Sequence, residues 1–234
     1  MENEKLMPES IETDKIKKSN FLPVIAGLFV GVLVLSNILA VKMIQIGVFV
    51  FDGGTLLFPF SYILGDVLAE VYGHKTARKI IWAGFFMLIF TSLNIYLVSI
   101  LPSEKEWLLQ KEFDDILLQM PRITAGSLLG YLLGANSNSI VLSKLKVLTR
   151  GKHLWLRTIG STVVGEFIDS IVFVAVAFLG LYGLPVLIVM AFSNYLFKTV
   201  IEVVFTPLTY KVIGFVKKRE QIDVYEYWEK PSMY

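Results

Sequence analysis

The chain has no cysteine and only two histidines, His74 and His153, among its 234 residues. No disulfide, thiol chemistry or cysteine-ligated metal is therefore open to it. Both histidines fall in connections between apolar runs, so a histidine-rich metal site or a Ser-His protease at membrane depth has no ligands. No GxxxxGK(S/T) stretch occurs, which excludes ATP hydrolysis by a P-loop. Charge is scarce too. Only 18% of residues are Asp, Glu, Lys or Arg, against about 25% in soluble domains. The formal net charge of +2 is too small to imply a nucleic-acid partner. No metal or cofactor is called for.

Long apolar runs are what the chain does have. Hydrophobic residues make up 55% of it, and the mean hydropathy is +0.64. This composition predicts an all-α, polytopic membrane protein. Six runs qualify as spans, at about 21–43, 55–73, 80–101, 122–143, 155–180 and 185–215. The last exceeds the roughly 20 residues a span needs, so tilt or a kink near Pro207 is expected. Residues 1–20 and 216–234 read as polar tails around a membrane domain at 21–215. The run after the first tail is too long for the apolar part of a signal peptide.

Lys and Arg set the expected orientation. Seventeen lie in the N-terminal tail, the 73–80 and 143–157 connections and the region from 211 onward. Only Lys105, Lys111 and Arg122 lie on the other side, while Lys42 and Lys198 are read as lying within spans. Basic residues stay in the cytoplasm, so both termini are expected there. The 102–121 loop is net acidic, with Leu109, Phe113, Ile116, Leu117 and Met120 at helical spacing, which predicts a short surface-lying helix. Gly126, Gly130 and Gly134 form a GxxxGxxxG ridge. Packing within the chain is the favoured use, and subunit association the alternative.

The polar residues inside the spans carry the functional signal. Asp66 and Glu70, four apart, share one helical face. A carboxylate at bilayer depth costs about 2.5–3.5 kcal/mol on insertion scales unless it faces protein or water. Glu70, nearer the span end, reads equally well as a cap at the water boundary. Asn37 lies in the first span, Asn94 in the third, and Arg122 opens the fourth, which ends in Asn136 and Asn138. Ser161, Thr162, Glu166 and Asp169 lie in the fifth span, and Asn194, Lys198 and Glu202 make a stripe along the sixth. Asp66, Glu70, Glu166, Asp169 and Glu202 outnumber Lys42, Arg122 and Lys198 by two. Pairing alone cannot neutralise them, which favours a solute pathway over packing ion pairs.

Ser36-Asn37, FPFSYILGDVLAEVYG from Phe58, STVVGEFIDS from Ser161 and FKTVIEVVFTPLTY from Phe197 together resemble the queuosine precursor transporters, a group allied to vitamin uptake transporters. The similarity covers about 20–215. It implies import of 7-deazaguanine precursors of a modified tRNA base across a bacterial or archaeal inner membrane. The resemblance matches Asn37, Asp66, Gly73, Arg122, Ser161, Thr162, Asp169, Lys198 and Pro207 to the family's polar signposts. Glu70 and Glu166 match positions that vary. Ala135-Asn136-Ser137-Asn138 departs from a Gln and an Asp common in the family.

A guanine-like base presents a ring N–H beside an exocyclic amine, and an ionised carboxylate accepts both. Asp66 or Asp169 suits that edge, Lys198 or Asn37 the carbonyl and ring nitrogen, and Phe60, Tyr62 or Tyr195 can stack. Asp66 and Asp169 are expected to face one another across a central cavity. The substrate-binding candidates are thus Asn37, Asp66, Glu70, Arg122, Ser161, Thr162, Asp169, Asn194 and Lys198. A self-sufficient carrier and a membrane subunit served by a separate energising complex both fit, and an intramembrane two-aspartate enzyme is a third reading. A homo-oligomer is left open.

Overall fold

The computed structural model describes residues 16, 18–149, 154–222 and 224. Most of both tails and the 150–153 segment, and with them the expectations placed on those stretches, lie outside the described residues. The chain runs α1 (Phe21–Leu39), β1 (Met43–Ile46), β2 (Phe49–Asp52), a 3-10 turn (Gly53–Leu57), α2 (Phe58–Tyr72) and α3 (His74–Ser99). It continues through α4 (Gln110–Leu117), α5 (Met120–Leu148), α6 (Leu154–Phe178) and α7 (Leu184–Glu220). Among the described residues, six stretches are long and apolar enough to cross a membrane. They correspond to the six expected spans.

The first expected span is corrected at its end. The helix stops at Leu39, and Lys42 is exposed on the approach to an antiparallel hairpin. Met43 pairs with Asp52 and Ile46 with Phe49. Ile44, Ile46, Val48, Phe49, Val50 and Phe51 favour strand because branched and aromatic side chains fit a pleated surface. Gly47, at φ +60°, supplies the left-handed residue that the tight turn needs. After β2, the Asp52 carboxylate accepts from the Thr55 N–H at 3.2 Å and caps the 3-10 turn.

The two ends of the bundle differ. At one end Glu220, in the last turn of α7, accepts the Asn20 and Phe21 N–H groups at 3.1 and 3.2 Å. It also bonds the Ser19 hydroxyl and, at 3.2 Å, the Tyr72 hydroxyl. A carboxylate there suits the positive end of the α1 dipole. The start of α1 and the end of α7 therefore meet at the same end, as an even number of crossings requires. Here Ile25, Phe29, Val67, Leu68, Val71, Tyr72, Ala77, Ile213 and Val216 form an apolar cluster from α1, α2, α3 and α7. At the hairpin end a second cluster joins Ala40, Ile123, Val174, Ala177, Phe178, Leu187 and Met190. Between them lies a polar layer.

The α5–α6 pairing is the most extensive in the molecule. A Cβ on Gly126 would lie 3.0 Å from the Phe173 carbonyl oxygen, and one on Gly134 2.9 Å from both the Asp169 Cβ and the Gly165 carbonyl oxygen. The glycine ridge is thus used inside the chain to bring two backbones together. The acidic loop does contain a short helix, α4, with Ile116 exposed on it and Trp107 and Leu108 exposed just before it. Asp114 ties it to Ser99 at the end of α3.

Candidate functional site

Spacing by four puts Asn194, Lys198 and Glu202 on one face of α7, and α7 packs on both α2 and α6. Lys198 Nζ bonds the Asp169 carboxylate, lies 3.9 Å from Glu166 Oε2 and sits 5.2 Å from the centroid of the Phe58 ring. Its side chain is 15% exposed, Asp169's 20% and Glu166's 22%. An amine so enclosed is stable only with such partners. Glu166 Oε2 is buried without a hydrogen-bond partner, because Asp169 takes the lysine first.

Asp169 is placed by α5 as well as by Lys198. A Cβ on Gly130 would fall 2.8 Å from Asp169 Oδ1. The aspartate fits only because that position is glycine. On the α2 side Phe58, Tyr62, Asp66 and Glu70 follow one another at intervals of four. The Tyr62 ring lies 5.8 Å from that of Phe58, on the side of α2 where the Glu202 charge is felt. The charges acting on half-buried Asp66 are Glu202 and Glu70. Asp169 is thus paired with Lys198 on α7, while Asp66 feels the charge of Glu202 on α7 and of Glu70 on its own helix. Glu70 pairs with Lys217 at 3.6 Å with its side chain 64% exposed, which assigns it to the boundary.

Three other candidates are engaged elsewhere. Buried Asn37 donates to the Leu33 carbonyl at 3.0 Å and accepts from Ser127 at 2.9 Å, joining α1 to α5. Arg122 donates to the carbonyl oxygens of Val176 at 3.3 Å and Leu179 at 2.6 Å, capping α6. Asn194, 1% exposed, donates to Asp52 at 3.0 Å and accepts from Thr55 at 3.2 Å. Ser161 is buried on α6, and half-buried Thr162 lies one turn before Glu166. Of the expected aromatics only Tyr62 faces this layer. Phe60 is exposed, and Tyr195 stands edge-on to Phe167. Sequence reasoning missed Asp52, Thr55 and Phe58. The Asp-x-x-Thr capping pattern was the available signal, hidden by its position after an apolar run.

A groove of about 370 Å³ between α6 and α7, bordered by Phe167, Ile171 and Leu184 among others, has an apolar lining and lacks every polar candidate. The polar candidates gather instead in the layer around Lys198. Residues 52–212 match the sequence model of the family described as "Putative vitamin uptake transporter". The chain belongs to this family. Among curated relatives, a "Probable queuosine precursor transporter" of Bacillus subtilis is 30% identical over 79% of this chain and 82% of the relative. One of the same name from Haemophilus influenzae is 29% identical over 74% and 73% of the two chains. The "Queuosine precursor transporter" of Escherichia coli is 27% identical over 68% and 71%. No solved structure matches the chain. As a vitamin uptake transporter family member it is a multi-pass membrane protein, and the resemblance seen in the motifs holds. The family match contains Asp66, Glu166, Asp169, Lys198 and Glu202 and begins at Asp52, whereas Asn37 precedes it.

Proposed function

We propose that this protein imports 7-deazaguanine-type queuosine precursors (the preQ0, preQ1 or queuine class) across the inner membrane, binding them in the polar layer around Lys198. The observation that carries the reading is the Lys198–Asp169 pair with Glu166 and the Phe58 ring beside it, in a membrane-spanning chain whose relatives bear that transporter name. A guanine-like base offers a carbonyl to the ammonium and a paired N–H edge to a carboxylate. Asp66 is assigned that edge, since Asp169 is already bonded to Lys198. Phe58 and Tyr62 supply stacking faces, worth roughly 1–3 kcal/mol per base in nucleic-acid complexes.

Uptake of labelled 7-cyano-7-deazaguanine into proteoliposomes containing this chain alone tests the reading. Accumulation is expected for a self-sufficient carrier. Binding without uptake assigns the chain to an energising complex, and the absence of both binding and uptake would overturn the substrate class. In the same preparation, Asp66→Asn should lose one charge-assisted bond, about 1.5–3 kcal/mol or roughly 10–150-fold in affinity. An analogue without the exocyclic amine should bind the parent equally poorly and lose little more with the variant. Strictly additive losses would remove Asp66 from that edge.

A further inference from the structure

The polar layer is shut at one end and open towards the other. On the hairpin side of Lys198, Asn194, Thr55 and Asp52 are 1%, 5% and 3% exposed. On the opposite side Asp66 is half-buried and Glu70 exposed. Packing shows the same asymmetry. The hairpin-end cluster draws on α5, α6, α7 and Ala40 just past α1, whereas no described residue of α5 or α6 belongs to the cluster at the Glu220 end. Among the described residues, α5 and α6 thus share a buried cluster with α7 beside the hairpin and none with it at the Glu220 end.

What closes the hairpin end is β2. Val50 donates its N–H to the Ser193 hydroxyl at 3.2 Å, and the Phe51 ring lies 5.7 Å from that of Phe197. Asp52 accepts from Asn194 at 3.0 Å and from the Thr55 hydroxyl at 3.0 Å. Asn194 is ten residues into α7, about 15 Å along the axis and near the middle of a core roughly 30 Å thick. Non-helical backbone and a carboxylate at that depth are tolerated only against protein or a water-filled route. The hairpin tip contributes nothing comparable, with Ile46 61% and Val48 78% exposed. So the strand is held on α7 by the Val50–Ser193 bond, the buried Asp52–Asn194–Thr55 knot, the Phe51–Phe197 ring contact and the packing of Val50 on the hairpin-end cluster.

We propose that the β1–β2 hairpin is the gate over the hairpin end of the site, and that Asp52 is the catch holding it on α7 through Asn194 and Thr55. Among the described residues the donors to Asp52 are the neutral groups of Thr55 and Asn194, and the Lys198 charge acts on it without direct contact, so releasing it to water exchanges hydrogen bonds without breaking a contact ion pair. Lys198 lies one turn further along the stripe, so a solute bound there meets the base of the hairpin directly. The gate lends itself to Proposed function but does not depend on which solute passes.

The absence of native cysteine makes the test clean. Val50→Cys with Ser193→Cys should cross-link on oxidation and lose uptake of 7-cyano-7-deazaguanine, with recovery on reduction and no loss in either single variant. Transport by the cross-linked protein, verified by mass spectrometry, would overturn the gate. Independently, Ser193→Cys in purified protein should react slowly with a polar thiol reagent and several-fold faster once Asp52→Asn is added, both proteins remaining monodisperse. An unchanged rate would overturn the catch. If the parent transports no 7-cyano-7-deazaguanine, the substrate reading fails, and the labelling comparison still decides the gate.

Discussion

Lys198 is the residue on which packing and binding chemistry meet. It bonds Asp169, faces Glu166 and covers Phe58. Lys198→Met keeps much of the apolar stem but strands a half-buried carboxylate. Breaking a buried pair on one side costs about 3–5 kcal/mol, so the variant should melt earlier and lose ligand binding. Adding Asp169→Asn removes the stranded charge. The double variant should regain most of the melting temperature and none of the binding. Full binding by either protein would assign Lys198 to packing alone. Thermal unfolding and equilibrium binding on the same preparations separate the two roles.

Among the elements, the α5–α6 pair determines where Asp169 stands. The GxxxGxxxG ridge was legible as a close-packing surface, but not which helix it meets, because glycine spacing reports only that a face is flat. The structure shows Gly130 against Asp169 and Gly134 against Asp169 and Gly165. Gly130→Ala places a methyl 2.8 Å from Asp169 Oδ1, closer than real contacts allow, and should push the carboxylate off Lys198. A loss of about 1–3 kcal/mol is expected, the range for overpacking, together with weaker ligand binding. Gly31→Ala, with nothing within 4 Å of the new methyl, is the matched control and should be neutral or stabilising by about 0.5–1 kcal/mol. Equal melting temperatures for the two variants would remove the ridge from the site's support.

For the whole molecule, the bonds from Glu220 to Ser19, Asn20 and Phe21 bring the first and last helices to one end. His74 begins α3 directly after α2 reaches that end, and Lys111 lies on α4 at the other. With the basic side in the cytoplasm, single cysteines at Lys75 and Lys152 should resist an impermeant reagent in intact cells, and one at Lys111 should react. External labelling at 75 or 152 would invert the orientation. In that orientation the hairpin faces outward and Glu70 lies towards the cytoplasm.

Span number, the pairing of the two ends and the family were all readable from the chain itself. Hydropathy, basic-residue bias and i, i+4 spacing are local sums along the sequence, and the bilayer acts on each span separately. The partners of the polar groups within the spans were not readable, because they depend on which helices lie side by side. Lys198 pairs with Asp169 because α6 packs on α7, and Arg122 is absorbed as a cap because α6 happens to end beside it. The hairpin escaped for a different reason. Its apolar residues continue the hydropathy of the first span, and a four-residue strand is too short to declare its own period. Only the tertiary fold, by laying β2 along α7, turned Asp52 from the end of an apolar run into a buried catch.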